Sequence, residues 1–400
     1  MITITDTFPP QIDALGKRAR ALAAVGVVAC ALGWFTNPEQ FFRSYLFGYL
    51  FWTGVALGCL GLLMIHCLTG GVWGLGIRRV LEAGARTLNF GLVLFIPVAL
   101  GIGTLYVWSH PDAVAADPIL QQKQAYLSVP FFVGRTVVYF AIWGGLAYFL
   151  SRWSLERDRT GDAGIGGRLQ GLAGGGLVAL VLTVTFASVD WAMSLNPHWF
   201  STIYGVLILV GQVLSAIAFV ILLVAHMGDE EPFAEVISKE AVHDLGKLLL
   251  AFVMLWAYIS VSQLIIVWSA NLPEEIPWYI QRFEGGWGVV GVLLVLFHFA
   301  LPFLLLLSRE LKRSARALAS VALGLFVVRF LELYWLIAPD LQGHGTPGGS
   351  HGFHPHWMDL AAPIALGGIW VALLVRELKS RPLLTPGDPE LQQMLAEEKA

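Results

Sequence analysis

Ionisable side chains lie within long apolar stretches of this sequence, where a charge is costly, and among them are Arg135, Asp190, His298 and Glu332. Holding a charge near the centre of a membrane-spanning helix costs at least ~2.5–3.5 kcal/mol, so such residues mark a functional site by default. A carboxylate in such a place can accept and release protons when its pKa lies near neutrality. Asp190 and Glu332 are therefore the first candidates for a proton path.

The positions of the arginines in the sequence indicate which of the two acids has a charged partner on its own helix. Arg135 has no acid near it on its own helix, so it requires a carboxylate, carbonyl groups or a bound anion on a neighbouring helix. A structural pair with Asp190 and a place on a ligand or proton path are both open. Arg329 lies three residues before Glu332 on the same helix face, where the two charges can neutralise each other. The sequence therefore favours Asp190 over Glu332 as the functional acid.

Histidines supply further groups that titrate near neutral pH. His298 lies near the middle of an apolar stretch, four residues before Pro302, and the proline removes a backbone hydrogen bond beside it. An imidazole at such a kink suits a proton relay, and a packed, hydrogen-bonded histidine is the alternative. Four more candidates lie near the predicted inner membrane edge: His66, His226, Asp244 and Lys247. They suit the collection of protons from the cytoplasm, although solvated helix ends commonly carry such residues.

Haem and metal sites are weakly indicated. Bis-histidine haem ligation needs two histidines at similar depth on facing helices, and His298 has no such mate. The three cysteines form no CxxC pattern, so the sequence contains no disulfide framework or c-type haem motif. A Gly-rich segment holds four histidines: His344, His351, His354 and His356. Imidazole suits zinc or copper, but a flexible loop against an extramembrane partner is the favoured interpretation.

The elements that position these residues follow from composition. The chain has 400 residues, of which 56% are hydrophobic and 13% charged, with a mean hydropathy of +0.69. A soluble domain cannot keep so much apolar surface from water, which indicates an integral membrane protein. In lipid every backbone polar group must be bonded within the protein, and apolar runs of about 20 residues fit helices rather than barrel strands. We therefore predict an all-α integral membrane protein.

Ten stretches are long enough to cross the bilayer. We predict spans at residues 19–35, 42–68, 87–108, 128–150, 171–193, 200–227, 245–268, 285–307, 316–337 and 358–377. Twenty of the 25 Lys and Arg residues fall on one side of this map and three in the opposite loops. The positive-inside rule then places both termini in the cytoplasm. A signal peptide is the alternative for residues 1–30, but the apolar run continues past Cys30, which favours a first span.

The central spans appear twice. Four correspondences carry the repeat: His66 with His226, Val107-Trp108-Ser109 with Val267-Trp268-Ser269, Leu150-Ser151-Arg152 with Leu307-Ser308-Arg309, and Asp190 with Glu332. Each of the two acids lies seven residues before a proline. They predict two tandem four-helix bundles, spans 2–5 and 6–9, with spans 1 and 10 at the flanks. The predicted organisation is an N-terminal segment with span 1 (1–40), a first bundle (41–197), a second bundle (198–339), a His- and Gly-rich outer loop (340–357), and span 10 with a polar cytoplasmic tail (358–400).

Two runs of sequence carry a resemblance to a known family. Residues 190–205 read DWAMSLNPHWFSTIYG, and residues 268–275 read WSANLPEE, followed by Trp278 and Tyr279. Both resemble the ActF-type membrane subunits of alternative complex III, a bacterial quinol:electron-acceptor oxidoreductase, within the wider polysulfide-reductase/NrfD-like group. The likeness covers essentially the whole chain, and the ten-span layout and the repeat agree with it.

The resemblance implies a multi-subunit complex in the bacterial inner membrane, with haem c and iron–sulfur subunits on the outer side. It implies a homologous, ActC-like membrane subunit that binds the quinone, while this chain carries no redox cofactor of its own. The family motif maps onto Asp190, His198 and Tyr204. No quinone ligands carry over to this sequence.

Three functions remain open. The first is a cofactor-free subunit of an electron-transfer complex with half-channels for protons, and the second is a purely structural subunit that docks the others. The third, from a different class, is a stand-alone secondary transporter, since transporters are often built from repeats with broken helices. Polar side chains and water-sized gaps from Asp190 towards His298 favour the first function. Continuous apolar packing favours the second, and purification without haem-bearing partners favours the third.

Overall fold

The chain folds into long apolar helices, and the computed structural model describes residues 8–162, 164–228, 230, 233–342 and 352–397. All regular secondary structure in these ranges is helical. The helices long and apolar enough to cross a membrane are, in chain order, Pro10–Thr36, Pro38–Thr69, Arg78–Leu100, Val129–Thr160, Gly164–Leu195, Tyr204–Met227, Lys239–Ala270, Trp287–Leu307, Ala315–Leu341 and Met358–Lys379. Each overlaps one of the ten predicted spans, with span 3 shifted to an earlier start and end, and they are numbered span 1 to span 10.

Shorter helices subdivide or connect the spans. They are Val72–Leu75, Arg78–Arg86, Gly91–Leu94, Ile96–Leu100, Ile102–Leu105, Pro111–Ala116, Pro118–Lys123, Ile276–Phe283, Arg309–Arg313 and Pro389–Glu397. One of them corrects a predicted boundary. Span 3 begins at Arg78 and not at residue 87, so Arg78 and Arg79 lie in its first turn and are buried, where a loop was predicted. Both pair with Glu82 on the same helix, which lets the helix extend beyond its apolar part.

Two prolines interrupt spans, as predicted. Around Pro97, span 3 divides into several short helices. In span 8, the turn Val295–Ala300 just before Pro302 is π-helical. Proline has no N–H to donate to the carbonyl four residues earlier, and its ring crowds that carbonyl, which here belongs to His298. The irregular turn therefore falls at the histidine that the sequence singled out.

The two halves of the sequence meet along spans 2 and 6. Gly58 of span 2 lies against the span 6 backbone, where a Cβ atom on Gly58 would be 2.2 Å from the carbonyl oxygen of Gln212. Small residues allow helix backbones to approach this closely in membranes. Span 2 also contacts spans 5 and 10, and span 10 pairs along span 1. Span 2 thus lies at the centre of the packing.

The molecule has two polar ends. Spans 5 and 9 finish at one of them, which holds Asp190 and Asp340 and is called the aspartate end below. Span 3 begins and span 4 finishes at the other, which holds Arg78 and Arg157 and is called the arginine end.

The segment after span 10 is packed against the arginine end, which corrects the prediction of a polar surface tail. Its side chains Leu384 and Leu391 are buried in a small apolar cluster. Asp388 accepts hydrogen bonds from Arg78, at 3.0 Å, and from Arg157. Asp388 is thus an ion-pair partner of buried arginines, whereas Glu390, Gln392 and Gln393 of the same segment are exposed.

Matching positions of the repeat do not have matching surroundings. Trp108 is 3% exposed in a 3-10 turn, whereas Trp268 is 76% exposed near the end of a continuous helix. Identity between the copies therefore does not establish a shared role, and each candidate must be judged from its own contacts.

Candidate functional site

Asp190 is enclosed by hydrogen-bond donors. Its side chain is 0% exposed and accepts two hydrogen bonds from Arg135, at 2.9 and 2.8 Å, and one from the Tyr139 hydroxyl at 2.7 Å. A bidentate arginine–carboxylate pair of this kind is strong and geometrically fixed. The partner that Arg135 required is thus Asp190, and the paired interpretation of the sequence is confirmed.

The other contacts of Arg135 hold the pair in place. Its guanidinium donates to the Tyr126 carbonyl at 3.0 Å and lies over two aromatic rings, 3.7 Å from the centroid of Tyr126 and 4.6 Å from that of Phe131. Burial and the Asp190 carboxylate together raise the pKa of the Tyr126 hydroxyl to about 12, so this group is neutral at physiological pH. The charge of the cluster therefore resides in the arginine and the aspartate.

Aromatic side chains of spans 4 and 5 pack against each other beneath Asp190. Trp143 and Trp191 pack edge to face, with ring centroids 5.8 Å apart. Each indole N–H is bonded, to Thr183 at 2.7 Å and to Thr136 at 3.1 Å. These satisfied, close-packed rings are typical of a structural layer, and they separate Asp190 from the rest of spans 4 and 5.

A second buried ion pair, which the sequence analysis missed, lies at the same end. Arg282 is 0% exposed and donates to Asp340 at 2.6 Å and to the Leu336 carbonyl at 2.7 Å. Its guanidinium lies 3.5 Å from the centroid of Trp278, and Asn196 donates to the same aspartate at 3.3 Å. Arg282 was assigned to a loop because it precedes the apolar part of span 8.

Asp340, and not Glu332, occupies the place in the second half that Asp190 occupies in the first. Asp190 and Asp340 lie within two residues of the ends of their helices, whereas Glu332 lies ten residues before the end of its helix. At 1.5 Å per residue, Glu332 is about 15 Å deeper than that helix end. The predicted equivalence of Asp190 and Glu332 is therefore wrong. It rested on the seven-residue spacing of each acid from a proline, and this spacing does not place the two acids at the same depth.

Glu332 belongs to a deeper cluster in the second half. It pairs with Arg329, as the sequence predicted, and accepts a hydrogen bond from the Trp256 indole at 2.6 Å. Arg329 also donates to the Ser215 hydroxyl at 3.3 Å. Spans 6, 7 and 9 thus each contribute a side chain to one polar cluster in the packed interior.

His298 lies beside this cluster and is unbonded. It is 0% exposed, and neither ring nitrogen has a hydrogen-bond partner among the described residues. Its ring stands edge-on to Trp256, with centroids 3.8 Å apart and planes at 87°. Nearly all buried polar groups in proteins are bonded, so an imidazole with two open nitrogens indicates a partner such as water or a ligand.

A small cavity of about 30 Å³ lies between the two halves. Its polar lining consists of Thr53, Ser188, Gln212, Ser215 and Arg329. The volume and the polar groups suit a bound water. The cavity reaches the Trp191 ring, but the Asp190 carboxylate is not part of its lining. The water-sized gap at Arg329 is one that the proton hypothesis requires, and Asp190 does not line it.

The two runs that carry the family resemblance contact each other at the aspartate end. Trp199 stacks on Trp278, with centroids 4.5 Å apart and planes 11° from parallel. Tyr204 is buried edge-on to Trp199. His198 is exposed, and its Nε2 lies 2.6 Å from a carboxylate oxygen of Asp117. The two runs therefore form a folded cap with a buried aromatic interior and with exposed polar groups that include His198 and Thr202.

The candidates at the arginine end are dispersed. His66 is buried, with Nε2 3.2 Å from the Gly71 carbonyl, whereas His226 is exposed. Asp244 and Lys247 pair at 2.5 Å on the partly exposed first turns of span 7. This arrangement is that of an ordinary solvated helix start.

The histidine-rich loop is described only in part. His344 and His351 lie outside the described residues. His354 is exposed, and Nδ1 of His356 accepts a hydrogen bond from the Met358 amide at 3.2 Å. Within the described ranges, no group of three or more His, Cys, Asp or Glu side chains is arranged to hold a metal ion. Metal binding by this loop stays a prediction.

Comparison with known proteins adds no relative. No protein-family model matches the chain, and no curated protein shows significant sequence similarity to it.

Proposed function

We propose that this chain is a cofactor-free membrane subunit of a quinol:electron-acceptor oxidoreductase complex, and that its second half carries protons. The resemblance of residues 190–205 and 268–279 to ActF-type subunits supports the first part. One observation carries the second: His298 is fully buried at a π-helical turn, with both ring nitrogens unbonded among the described residues. An imidazole in that state can take up a proton at one nitrogen and release it from the other.

The groups beside His298 supply a route. Arg329, which pairs with Glu332, lines the 30 Å³ cavity, and this cavity is large enough to hold a water. Trp256 bonds the Glu332 carboxylate and packs against the His298 ring, so it holds the acid and the imidazole in one cluster. A proton that reaches this carboxylate weakens the arginine pair and passes through a bridging water to an open nitrogen of His298, since no hydrogen bond joins the two side chains directly.

Asp190 is assigned a structural role in this proposal. A proton carrier must gain and lose a proton without loss of its surroundings, whereas the Asp190 carboxylate is fixed by three hydrogen bonds from Arg135 and Tyr139. The same reasoning applies to Asp340 with Arg282. The sequence preference for Asp190 over Glu332 is thereby reversed.

The proposed setting follows the resemblance. Spans 2–5 and 6–9 form two bundles in the bacterial inner membrane, with both termini in the cytoplasm. The aspartate end then faces the outer side, where the cap of residues 190–205 meets haem c and iron–sulfur subunits, and an ActC-like subunit binds the quinone. The buried basic residues of the arginine end agree with a cytoplasmic face.

The test is His298→Gln in the assembled complex, reconstituted into vesicles. We expect electron transfer from quinol to continue while the protons moved per electron fall by at least half, because glutamine cannot be protonated. His226→Gln is the matched control, since His226 is an exposed histidine outside the cluster. An unchanged number of protons moved per electron in the His298→Gln variant would contradict the proton role.

A purely structural subunit is the second candidate, and the closed aromatic layer beneath Asp190 favours it. In that case the His298 and His226 variants behave alike, and both lose activity only when assembly fails. A stand-alone transporter is the third, and purification of the chain without haem-bearing partners would favour it.

A further inference from the structure

A groove of about 400 Å³ opens in the second half between spans 7, 8 and 9. Three tryptophans form much of its wall, namely Trp256, Trp278 and Trp335, and Glu332 lies at its base. Val261 and Val292 line the groove and are exposed on the apolar flank of the helices. The volume is within the range of small-molecule sites, and the groove extends from these apolar flanks to Trp278 near the aspartate end.

Two polar groups in the groove lack partners. Gln263 is 2% exposed, and neither its amide oxygen nor its amide nitrogen is hydrogen-bonded among the described residues. The hydroxyl oxygen of Ser260, one turn away and also in the lining, is buried and unbonded. A buried polar group without a partner costs about 1–3 kcal/mol, and the bilayer core offers no water to supply one. A ligand that donates to and accepts from Gln263 would satisfy both of its ends.

The charges of the lining exclude an anionic head group. No Lys or Arg is among the described residues that line the groove. Its only ionisable group other than tyrosine is Glu332, which is already paired with Arg329 and bonded by Trp256. A phosphate brought here would lack a countercharge, whereas an uncharged ring fits between flat indole faces.

We propose that this groove binds an uncharged, lipid-soluble molecule with a flat head group that bears carbonyl or hydroxyl oxygens. The Gln263 amide nitrogen donates to a ligand oxygen, the amide oxygen accepts from a ligand hydroxyl, and the apolar remainder of the ligand leaves between spans 7 and 8 towards the lipid. Isoprenoid quinols and hydroxylated polycyclic lipids share this chemistry. The inference stands without the proposed proton role, since it concerns occupancy of the groove alone.

The test is ligand binding to the purified, delipidated full-length chain. Three probes are titrated separately: a decyl-chain quinol, a hydroxylated polycyclic terpenoid and phosphatidylglycerol, with tryptophan fluorescence and calorimetry as readouts. We expect at least one neutral probe to bind with a Kd that Gln263→Leu weakens about tenfold, which corresponds to the loss of one or two hydrogen bonds. Which neutral probe binds more tightly identifies the source of the ligand.

Gln212→Leu is the matched control, because Gln212 is a glutamine in the cavity between the halves and does not line the groove. Gln263→Leu replaces an unbonded polar side chain by an apolar one of similar size, so we expect an unchanged or higher melting temperature, which separates lost binding from misfolding. Equal affinity of wild type and Gln263→Leu, or binding of phosphatidylglycerol alone, would overturn the proposal. A null result here leaves the His298 experiment unaffected, since that experiment measures proton movement in the complex.

Discussion

At the residue scale, the candidate residues differ in how far their buried polar atoms are hydrogen-bonded. Asp190 and Arg282 each have several strong partners. His298 and Gln263 have none among the described residues. Because the first kind is already satisfied, it stabilises the fold, whereas the second kind still has the capacity to bind a proton, a water or a ligand. The open groups are therefore better functional candidates than the charged ones.

Asp190→Asn tests this distinction. The change leaves the Arg135 charge without its counter-ion, so we expect the free energy of unfolding to fall by about 3 kcal/mol. Thermal unfolding of the purified chain measures it, with the exposed Asp112→Asn as control. We also expect Arg135→Gln in the same chain to recover part of the loss. A variant of normal stability with reduced proton movement would return Asp190 to the proton path.

At the scale of elements, interruptions and close approaches of helices place the candidate groups. The π-helical turn Val295–Ala300 brings His298 against Trp256 of span 7. The short helix Ile276–Phe283 carries Arg282 to the end of span 9 and contributes Trp278 to the groove. The contact of span 2 with span 6, which joins the halves, depends on the absence of a side chain at Gly58.

Gly58→Ala is expected to loosen this contact. The added methyl group would lie 2.2 Å from the Gln212 carbonyl oxygen, so spans 2 and 6 must separate, and we expect a loss of about 1–3 kcal/mol in unfolding free energy. Gly145→Ala is the control, because a Cβ atom there meets nothing within 4 Å and alanine favours a helix. Equal melting temperatures of the two variants would show that the halves do not depend on this approach.

At the scale of the whole molecule, the two polar ends are built differently. The aspartate end is held by ion pairs between neighbouring helices and by the stacked Trp199 and Trp278. The arginine end is closed by the segment after span 10, through Asp388. Since Asp388 joins the last helices of the sequence to spans 3 and 4, the C-terminal segment contributes to the fold rather than extending from it.

Asp388→Asn is expected to release this segment. The substitution removes the acid that joins this segment to Arg78 and Arg157, while Arg78 keeps its pair with Glu82. We therefore expect protease cleavage between residues 380 and 390 to increase severalfold while the spans remain intact. Mass spectrometry of limited digests measures the change. Glu156→Gln, an exposed acid on span 4 at the same end, is the control. Equal cleavage in both variants would contradict the docking role of Asp388.

Much of the architecture was predictable because it depends on local properties of the sequence. The length of each apolar run sets the number of spans, and the prolines set the interruptions at Pro97 and beside His298. The pair of Arg329 with Glu332 was also predictable, since three residues along a helix bring two side chains to the same face.

Only the tertiary structure decided the other partners. Arg135 and Asp190 are 55 residues apart, and Arg282 and Asp340 are 58 apart. Their pairing depends on how each helix is rotated about its own axis, and a membrane span that is apolar towards both lipid and protein gives little sign of that rotation in its sequence. For the same reason Gln263 was indistinguishable from other polar residues in the spans until the groove around it was seen.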